Sequence, residues 1–493
     1  MIIYQLLLRA FGNRSCVPGG SYARNGSGKF NDITDEVLLK FRKLSAGAVW
    51  YTGVVSHATR TRWRGIPDND ASLVKGEAGS PYAIRNWFDV DPALAVNIDN
   101  RMAEFEALVE RTHKAGMKVI IDFVPNHVYR EYRSYFTAEN FFFLDDTLHL
   151  PESLHSSYVE NPALATGNDV FHAWPSVNDW YDTVKLNYGN RSTWSKMLQV
   201  LRFWADKGVD GFRCDMVELV PAEFFDWAFR ALRAGKPELF FIAEVYNKDN
   251  YRRYADAGFD LLYDKSGFYD ALRGIVRGER PASCLTREWQ WLGELQPRML
   301  NFLENHDEQR LASDYFAGSG KAGMAAHAVS LLFNTSSFML YSGQEFGERG
   351  MEAEGFSRVD GRTSIYDYCC IPSVARFLSG HLTLEEKVVY KEYCRLLRIA
   401  TADAIFSKGK TYDLMYVNPA SEHFDPARQF AWMRGYAGSA MAIVANFADR
   451  PVDVDVVIPG DAFGYFGLPP AGRTIRFHVA AHDYTRIDVS ADP

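Results

Sequence analysis

Between Ile2 and Tyr341 the chain carries eight short apolar runs separated by segments of helical periodicity. This alternation narrows the choice of fold more than any other feature of the sequence. The runs are Ile2–Leu8, Ala48–Val55, Lys118–Val124, Gly208–Phe212, Leu239–Val245, Leu261–Tyr263, Met299–Leu303 and Ser337–Tyr341. They lack the strict polar alternation of strands with one wet face, and so read as parallel strands covered on both sides. Val37, Leu38, Phe41 and Leu44 share one helical stripe, with Asp32 or Thr34 as N-cap. Phe105, Leu108, Val109 and Thr112 form a second stripe, which Gly116 is placed to end. Trp194 to Trp204 is a third helix, stopped near Gly208. Strand–helix alternation eight times over predicts an α/β fold, the (β/α)8 TIM barrel.

Two stretches break the pattern. From His127 to about Asn187 there is no clean period, and the composition turns to Tyr, Phe, Asn, Pro and His. A connection this long in a compact domain is an insertion or a functional loop. After about Ala400 helical character gives way to β-like runs at Gln429–Arg434, Met441–Ala445, Val452–Ile458, Thr474–Val479 and Tyr484–Val489. The chain of 493 residues therefore divides into a barrel (1–126 and 188–400), an inserted loop-rich domain after the third strand (127–187), and a C-terminal antiparallel β-sandwich domain (401–493).

A formal net charge of -8 argues against a polyanion partner, so no nucleic acid is expected. No apolar run approaches the roughly 18 residues of a membrane span, so no membrane is expected either. The N-terminal MIIYQLLLRAFG lacks a basic leader and a small-residue cleavage site, and reads as a buried strand. The six cysteines show no metal-ligand spacing, and the adjacent Cys369 and Cys370 read as free buried thiols. A reducing, cytoplasmic setting follows from that reading.

In such a barrel the chemistry sits where strands end. The third run ends in Asp122-Phe123-Val124-Pro125-Asn126-His127 and the fourth leads into Gly211-Phe212-Arg213-Cys214-Asp215. The fifth ends in Ala243-Glu244-Val245 and the seventh in Glu304-Asn305-His306-Asp307. Carboxylates at neighbouring strand ends, beside Arg and His, suit cleavage of a glycosidic bond through an oxocarbenium-like state. Retaining enzymes use two carboxyl groups about 5–5.5 Å apart, one as nucleophile and one as acid and then base. Arg213 lies two residues before Asp215, on the same side of the strand, where it can hold that carboxylate ionised. Cys214 alternates away and reads as a packed thiol.

These segments resemble, in order and spacing, the signature segments of the α-amylase family, glycoside hydrolase family 13. DFVPNH (Asp122–His127), GFRCD (Gly211–Asp215), FIAEV (Phe241–Val245) and ENHD (Glu304–Asp307) are similar to its third-, fourth-, fifth- and seventh-strand segments. Weaker likenesses lie at Val184–Asn187, at Phe338–Glu345 and at Tyr82–Pro92. The resemblance implies Asp215 as nucleophile, Glu244 as acid/base and Asp307 as transition-state stabiliser. It implies Tyr82, His127, Arg213, His306 and Asp122 around the bound sugar. No cofactor is needed for the chemistry. A structural Ca2+ between barrel and insertion is implied, with Asn126 as ligand, the Leu219 carbonyl as a further donor, and Asp145, Asp146, Asp169 and Asp179 as sources of oxygen.

The sequence also departs from the family pattern. Glu218 and Leu219 stand where a Lys-His pair often follows the nucleophile, Ala83 where Asp often follows the Tyr, and Ser56-His57 where the second-strand segment often has Pro. The expected partner is an oligo- or polysaccharide, and the expected activity is retaining hydrolysis of α-1,4-glucans or malto-oligosaccharides. The alternatives are glucan transfer through the same intermediate and a non-catalytic carbohydrate-binding relative.

Overall fold

The computed structural model describes residues 1–15, 17–132, 134–141, 180–352 and 359–490. Eight parallel strands close into a barrel, each hydrogen-bonded to its neighbours in sequence, with the eighth returning to the first. They are Ile2–Leu7, Ala46–Thr52, Lys118–Phe123, Gly211–Cys214, Phe240–Ala243, Leu261–Tyr263, Met299–Asn301 and Ser337–Tyr341. Each overlaps one of the eight apolar runs, the fourth strand least, since only Gly211 and Phe212 are shared. Closure is made where Ile3 pairs with Met339 and Tyr4 with Leu340. Nearly every strand residue is buried, because the interior is filled by side chains and helices cover the outside. That is why the runs are uniformly apolar.

The helices follow their stripes. Helix Asp35–Lys43 starts at Thr34, whose hydroxyl accepts from the Val37 amide at 3.3 Å, and Val37, Leu38 and Phe41 face inward. Helix Arg101–Lys114 buries Phe105, Leu108, Val109 and Thr112, and Gly116 follows it at φ 76°. Helix Arg191–Asp206 is capped by Asn190, and the chain leaves it through Gly208 at φ 90°.

One pairing was hidden from the sequence. Val55–His57 and Ile84–Val90 form an antiparallel hairpin over the barrel mouth, with register shifts on either side of Ser56. Bulges of this kind erase the two-residue alternation by which a strand is recognised. Of the connection between the third and fourth strands, the described parts include the short strands His127–Tyr129 and Thr183–Lys185, which pair antiparallel. Residues 142–179 of the expected insertion lie outside the described residues.

The C-terminal region holds a four-stranded antiparallel sheet (Lys410–Asp413, Gln429–Tyr436, Ser439–Asn446 and Tyr484–Asp488) and a two-stranded one (Val452–Ile458 with Arg473–Val479). Ala437 and Gly438, at φ 50° and 79°, turn the tight hairpin between the second and third strands of the larger sheet. Between the two-stranded partners runs a short helix, Gly460–Tyr465, that periodicity did not announce. It buries Phe463, and Phe466 beyond it is also buried, so both rings pack the core, while Tyr465 between them is exposed.

No helix among the described residues is long and apolar enough to cross a membrane. Cys214, Cys284, Cys369 and Cys394 are in no disulfide, whereas Cys370 is disulfide-bonded. The reading of adjacent free thiols therefore fails at Cys370, and the inference of a reducing compartment loses its footing.

The larger sheet is joined to the barrel through Trp432 and Arg434. Phe333 packs edge-on against Phe430 and Trp432, with ring centroids 5.0 and 5.8 Å away. The fully buried Arg434 donates to the carbonyls of Leu332 (3.2 Å), Phe406 (2.9 Å), Gly409 (2.8 Å) and Lys410 (3.2 Å). Burial pulls its pKa down to about 9. Truncation takes this donor from the carbonyls of Phe406, Gly409 and Lys410, each at roughly 1–3 kcal/mol, while Leu332 keeps Trp432 Nε1 at 3.3 Å. Arg434→Met is expected to lower the unfolding free energy by at least about 3 kcal/mol, read as an earlier urea midpoint, whereas Arg476→Met, at an exposed ion pair, is expected to change it little.

Candidate active site

The third strand stops at Phe123, the fourth at Cys214 and the fifth at Ala243, which sets Asp122, Asp215 and Glu244 at one end of the barrel. The parallel register places Asp122 directly beside Arg213. The Asp215 amide donates to the Phe123 carbonyl at 2.9 Å, and the Glu244 amide to the Cys214 carbonyl at 3.0 Å, which extends the ladder one step to both carboxylates. They open on a cavity of about 290 Å³, whose walls include Tyr82, His127, Asp215, Glu244 and Asp307. A larger hollow, of about 480 Å³, lies elsewhere beside Arg376 and Glu386, which are already paired with each other.

Arg213 sits at the centre with no exposed surface. Its Nη1 donates to Asp215 Oδ1 at 2.6 Å and lies 3.8 Å from Asp122 Oδ1. Its Nη2 lies 2.5 Å from Glu244 Oε1, an ion contact off the line of a hydrogen bond. Nε donates to the Tyr263 hydroxyl at 3.3 Å, and the guanidinium carbon lies about 5.5 Å from the rings of Trp50, Tyr82 and Tyr263. Glu244 has two further donors: the Met216 amide at 2.8 Å on Oε2 and the Tyr246 hydroxyl at 2.9 Å on Oε1. Met216 makes its bond from a left-handed turn, φ 46° and ψ 46°, which swings the amide just after Asp215 toward Glu244.

A relay of hydrogen bonds fixes the opposite wall. The Gln5 side-chain amide donates to His306 Nδ1 at 2.8 Å, which places the ring proton on Nε2. That Nε2 lies 2.5 Å from the Tyr82 hydroxyl and 3.0 Å from Asp307 Oδ2. Tyr82 in turn donates to Asp122 Oδ1 at 3.2 Å, and Trp50 Nε1 donates to Asp122 Oδ2 at 3.2 Å. The Tyr82 ring lies nearly parallel to His306, centroids 5.3 Å apart. His127 faces the same cavity, held by the Asn126 amide at 3.1 Å and by the Trp180 ring.

Electrostatics sort these groups. Burial, and then the neighbouring Glu244, push the Asp215 carboxyl upward, while Arg213 opposes the shift. Asp307 is raised to about 7 by burial and then by Glu244, and Asp122 to about 6 by burial. Burial drives His127 down to about 3; burial and then Arg213 take His306 well below its ordinary value. Both imidazoles are therefore neutral at physiological pH.

The family model for the α-amylase catalytic domain matches residues 22–254 of this chain. That span, which holds Asp122, Arg213, Asp215 and Glu244, is similar to the catalytic domain of the α-amylase family of glycoside hydrolases. The chain is 24% identical to alpha-amylase 3 of Dictyoglomus thermophilum over 67% of this chain and 68% of that protein. It is 28% identical to alpha-amylase MalA of Haloarcula japonica over 71% of this chain and 44% of that one. In fold it is similar to a noncanonic maltogenic alpha-amylase AmyB of Thermotoga neapolitana, with a TM-score of 0.66, 20% identity, and 99% and 96% of the two chains covered.

Within the barrel, every expected site residue from Tyr82 to Asp307 lies around this same cavity or one contact behind it. Asn126 sits one contact back, bonded to His127 and to Lys185. Asp145, Asp146, Asp169 and Asp179 lie outside the described residues. Sequence reading missed Gln5 and Trp50, which orient His306 and Asp122. It missed Lys75 and Asp182, a nearly buried pair 3.8 Å apart on the cavity wall, and Tyr366 beside them. Only Tyr246 left a signal: two residues past Glu244, it keeps to the same side of the extended chain.

Glu218, one of the departures from the family pattern, faces away from the cavity and fixes backbone. It accepts from the amides of Tyr246 (2.8 Å) and Asn247 (3.2 Å) and from the Asn250 side chain (2.6 Å), pinning the loop that follows Glu244.

Selective labelling of histidine tests the electrostatic picture. Neither His127 nor His306 is expected to titrate between about pH 5 and 8, and His306 is expected to show the Nε2–H tautomer in ¹⁵N NMR. In Gln5→Leu the His306 tautomer preference is expected to weaken.

Proposed function

We propose that the chain is a retaining α-glycosidase of α-1,4-glucans or malto-oligosaccharides, with Asp215 as nucleophile, Glu244 as acid/base and Asp307 as stabiliser. The observation that carries this reading is the single Arg213 guanidinium, which meets Asp215 through Nη1 and Glu244 through Nη2. One planar fork holds both carboxyl groups, and that favours the short separation of retaining enzymes over the wider gap that leaves room for a water.

The groups divide the work by environment. Asp215 and Asp307 are both pushed upward by burial and then by the neighbouring Glu244, so the carboxyl groups around the single Arg213 cation repel one another. Asp215 receives the in-line 2.6 Å bond from Arg213 and is the group best kept ionised. The retaining route assigns Glu244 the role of acid toward the glycosidic oxygen. Asp215 attacks the anomeric carbon while Glu244 passes its proton to the glycosidic oxygen, and the leaving sugar departs. Glu244, now a carboxylate, takes a proton from water as its oxygen attacks the same carbon and displaces Asp215, restoring the α configuration. Neutral His306 presents Nε2–H beside Asp307, a donor–acceptor pair suited to adjacent sugar hydroxyls. His127 and Tyr82 give the cavity flat walls.

The test is the time course of products from maltoheptaose, followed by proton NMR from the first minutes. The wild type is expected to release α-anomeric reducing ends first. Asp215→Asn is expected to lose on the order of 10⁴-fold or more in kcat. Glu244→Gln is expected to lose far less on an aryl α-glucoside with a good leaving group than on maltoheptaose, because only the latter needs the proton. Initial β-anomer, or full activity in Asp215→Asn, would overturn the mechanism. Longer oligosaccharides without net reducing ends would move the assignment to glucan transfer, and binding without turnover to a non-catalytic carbohydrate-binding role.

A further inference from the structure

We propose that the ammonium of Lys185 serves as the structural cation where the barrel meets the segment inserted after its third strand, so that this joint holds without a divalent metal. Two of the oxygens that the family resemblance offers to Ca2+ lie among the described residues, the side-chain carbonyl of Asn126 and the backbone carbonyl of Leu219. Lys185 Nζ donates to both, at 2.6 Å to Asn126 Oδ1 and 3.1 Å to the Leu219 carbonyl. The residues therefore do not fit a metal as the resemblance expects: the would-be ligand oxygens converge on a resident positive charge.

The placement is built into the backbone. Lys185 ends the short strand Thr183–Lys185 and pairs in register with His127, while the Leu186 amide donates to the Asn126 carbonyl at 2.9 Å. The lysine stem is thus fixed at both neighbours, and its head reaches from the inserted segment to two separate barrel elements, the end of the third strand and the turn after the fourth. An ammonium is satisfied by two or three oxygens at hydrogen-bond distance, whereas Ca2+ takes six to eight at about 2.3–2.6 Å. A divalent ion close enough to use Asn126 and Leu219 would stand against the lysine charge in a poorly solvated place, where repulsion is weakly screened. Among the described residues no group of three or more His, Cys, Asp or Glu is arranged to hold a metal.

The experiment uses the whole protein. Purified chain is dialysed against EGTA, and its metal content and melting temperature are measured before and after, and again in millimolar CaCl2. Substoichiometric calcium at the outset and a Tm constant to within about 1 °C across the three conditions are expected. Lys185→Met is expected to melt roughly 5 °C lower in metal-free buffer, since it removes both bonds across the joint. A calcium that copurifies at one per chain, or a clear fall in wild-type Tm on chelation, would overturn the proposal. So would a Lys185→Met protein that melts like the wild type. If Lys185→Met does not fold, the chelation series on the wild type decides alone.

Discussion

Arg213 is a full positive charge with no exposed surface, and it is tolerated there because Asp122, Asp215 and Glu244 close around it. A buried guanidinium carries a desolvation cost of several kcal/mol, offset only by well-placed opposite charges. The barrel supplies that placement. Parallel register sets Asp122 and Arg213 side by side on adjacent strands, and one further hydrogen-bonded step along the fourth and fifth strands brings in Asp215 and Glu244. The dependence is mutual. Without the arginine three carboxyl groups would crowd a dry space with no cation among them; without them the arginine would have to leave the core. Trp50, Tyr82 and Tyr263 complete the enclosure with the faces of their rings.

Much of this was legible in the sequence because the barrel buries its strands on both faces. Largely apolar runs stand out there, and each of these strand ends is marked by a carboxylate at or just past the end of the run, as at Asp122, Asp215 and Glu244. What could not be read depends on pairing between distant segments. The Val55–His57 and Ile84–Val90 hairpin is bulged, so its alternation is lost. Lys75 and Asp182 meet across more than a hundred residues, and neither carries a local mark of its role. Gln5 and Trp50 look like ordinary strand residues until the ladder sets them beside His306 and Asp122. Cys370 looked like a thiol beside another thiol, and nothing in its spacing pointed to a bond.

Residues 216–220, the turn after the fourth strand, draw these networks together. From one side Glu218 holds the loop that follows Glu244; from the other, the Leu219 carbonyl receives Lys185. Tyr254 adds its hydroxyl to the Val217 carbonyl at 2.8 Å. Glu218 and Leu219, two of the positions that depart from the family pattern, are thus engaged in fixing the backbone next to the reacting groups. Contacts to the far side of a cleaved bond must come from elsewhere on the cavity wall.

Met216 stands at the head of that turn in a conformation that L-residues other than Asn and Asp seldom adopt, at a cost of roughly 1 kcal/mol or more. Glycine would sit there without that cost, but it would remove the thioether from the cavity wall and let the amide that steadies Glu244 swing more freely. Durability and turnover are therefore set against each other at a single residue. A population screened only for heat resistance would drift toward glycine or asparagine at this position, and one screened for catalytic speed would keep a residue that the backbone holds under tension.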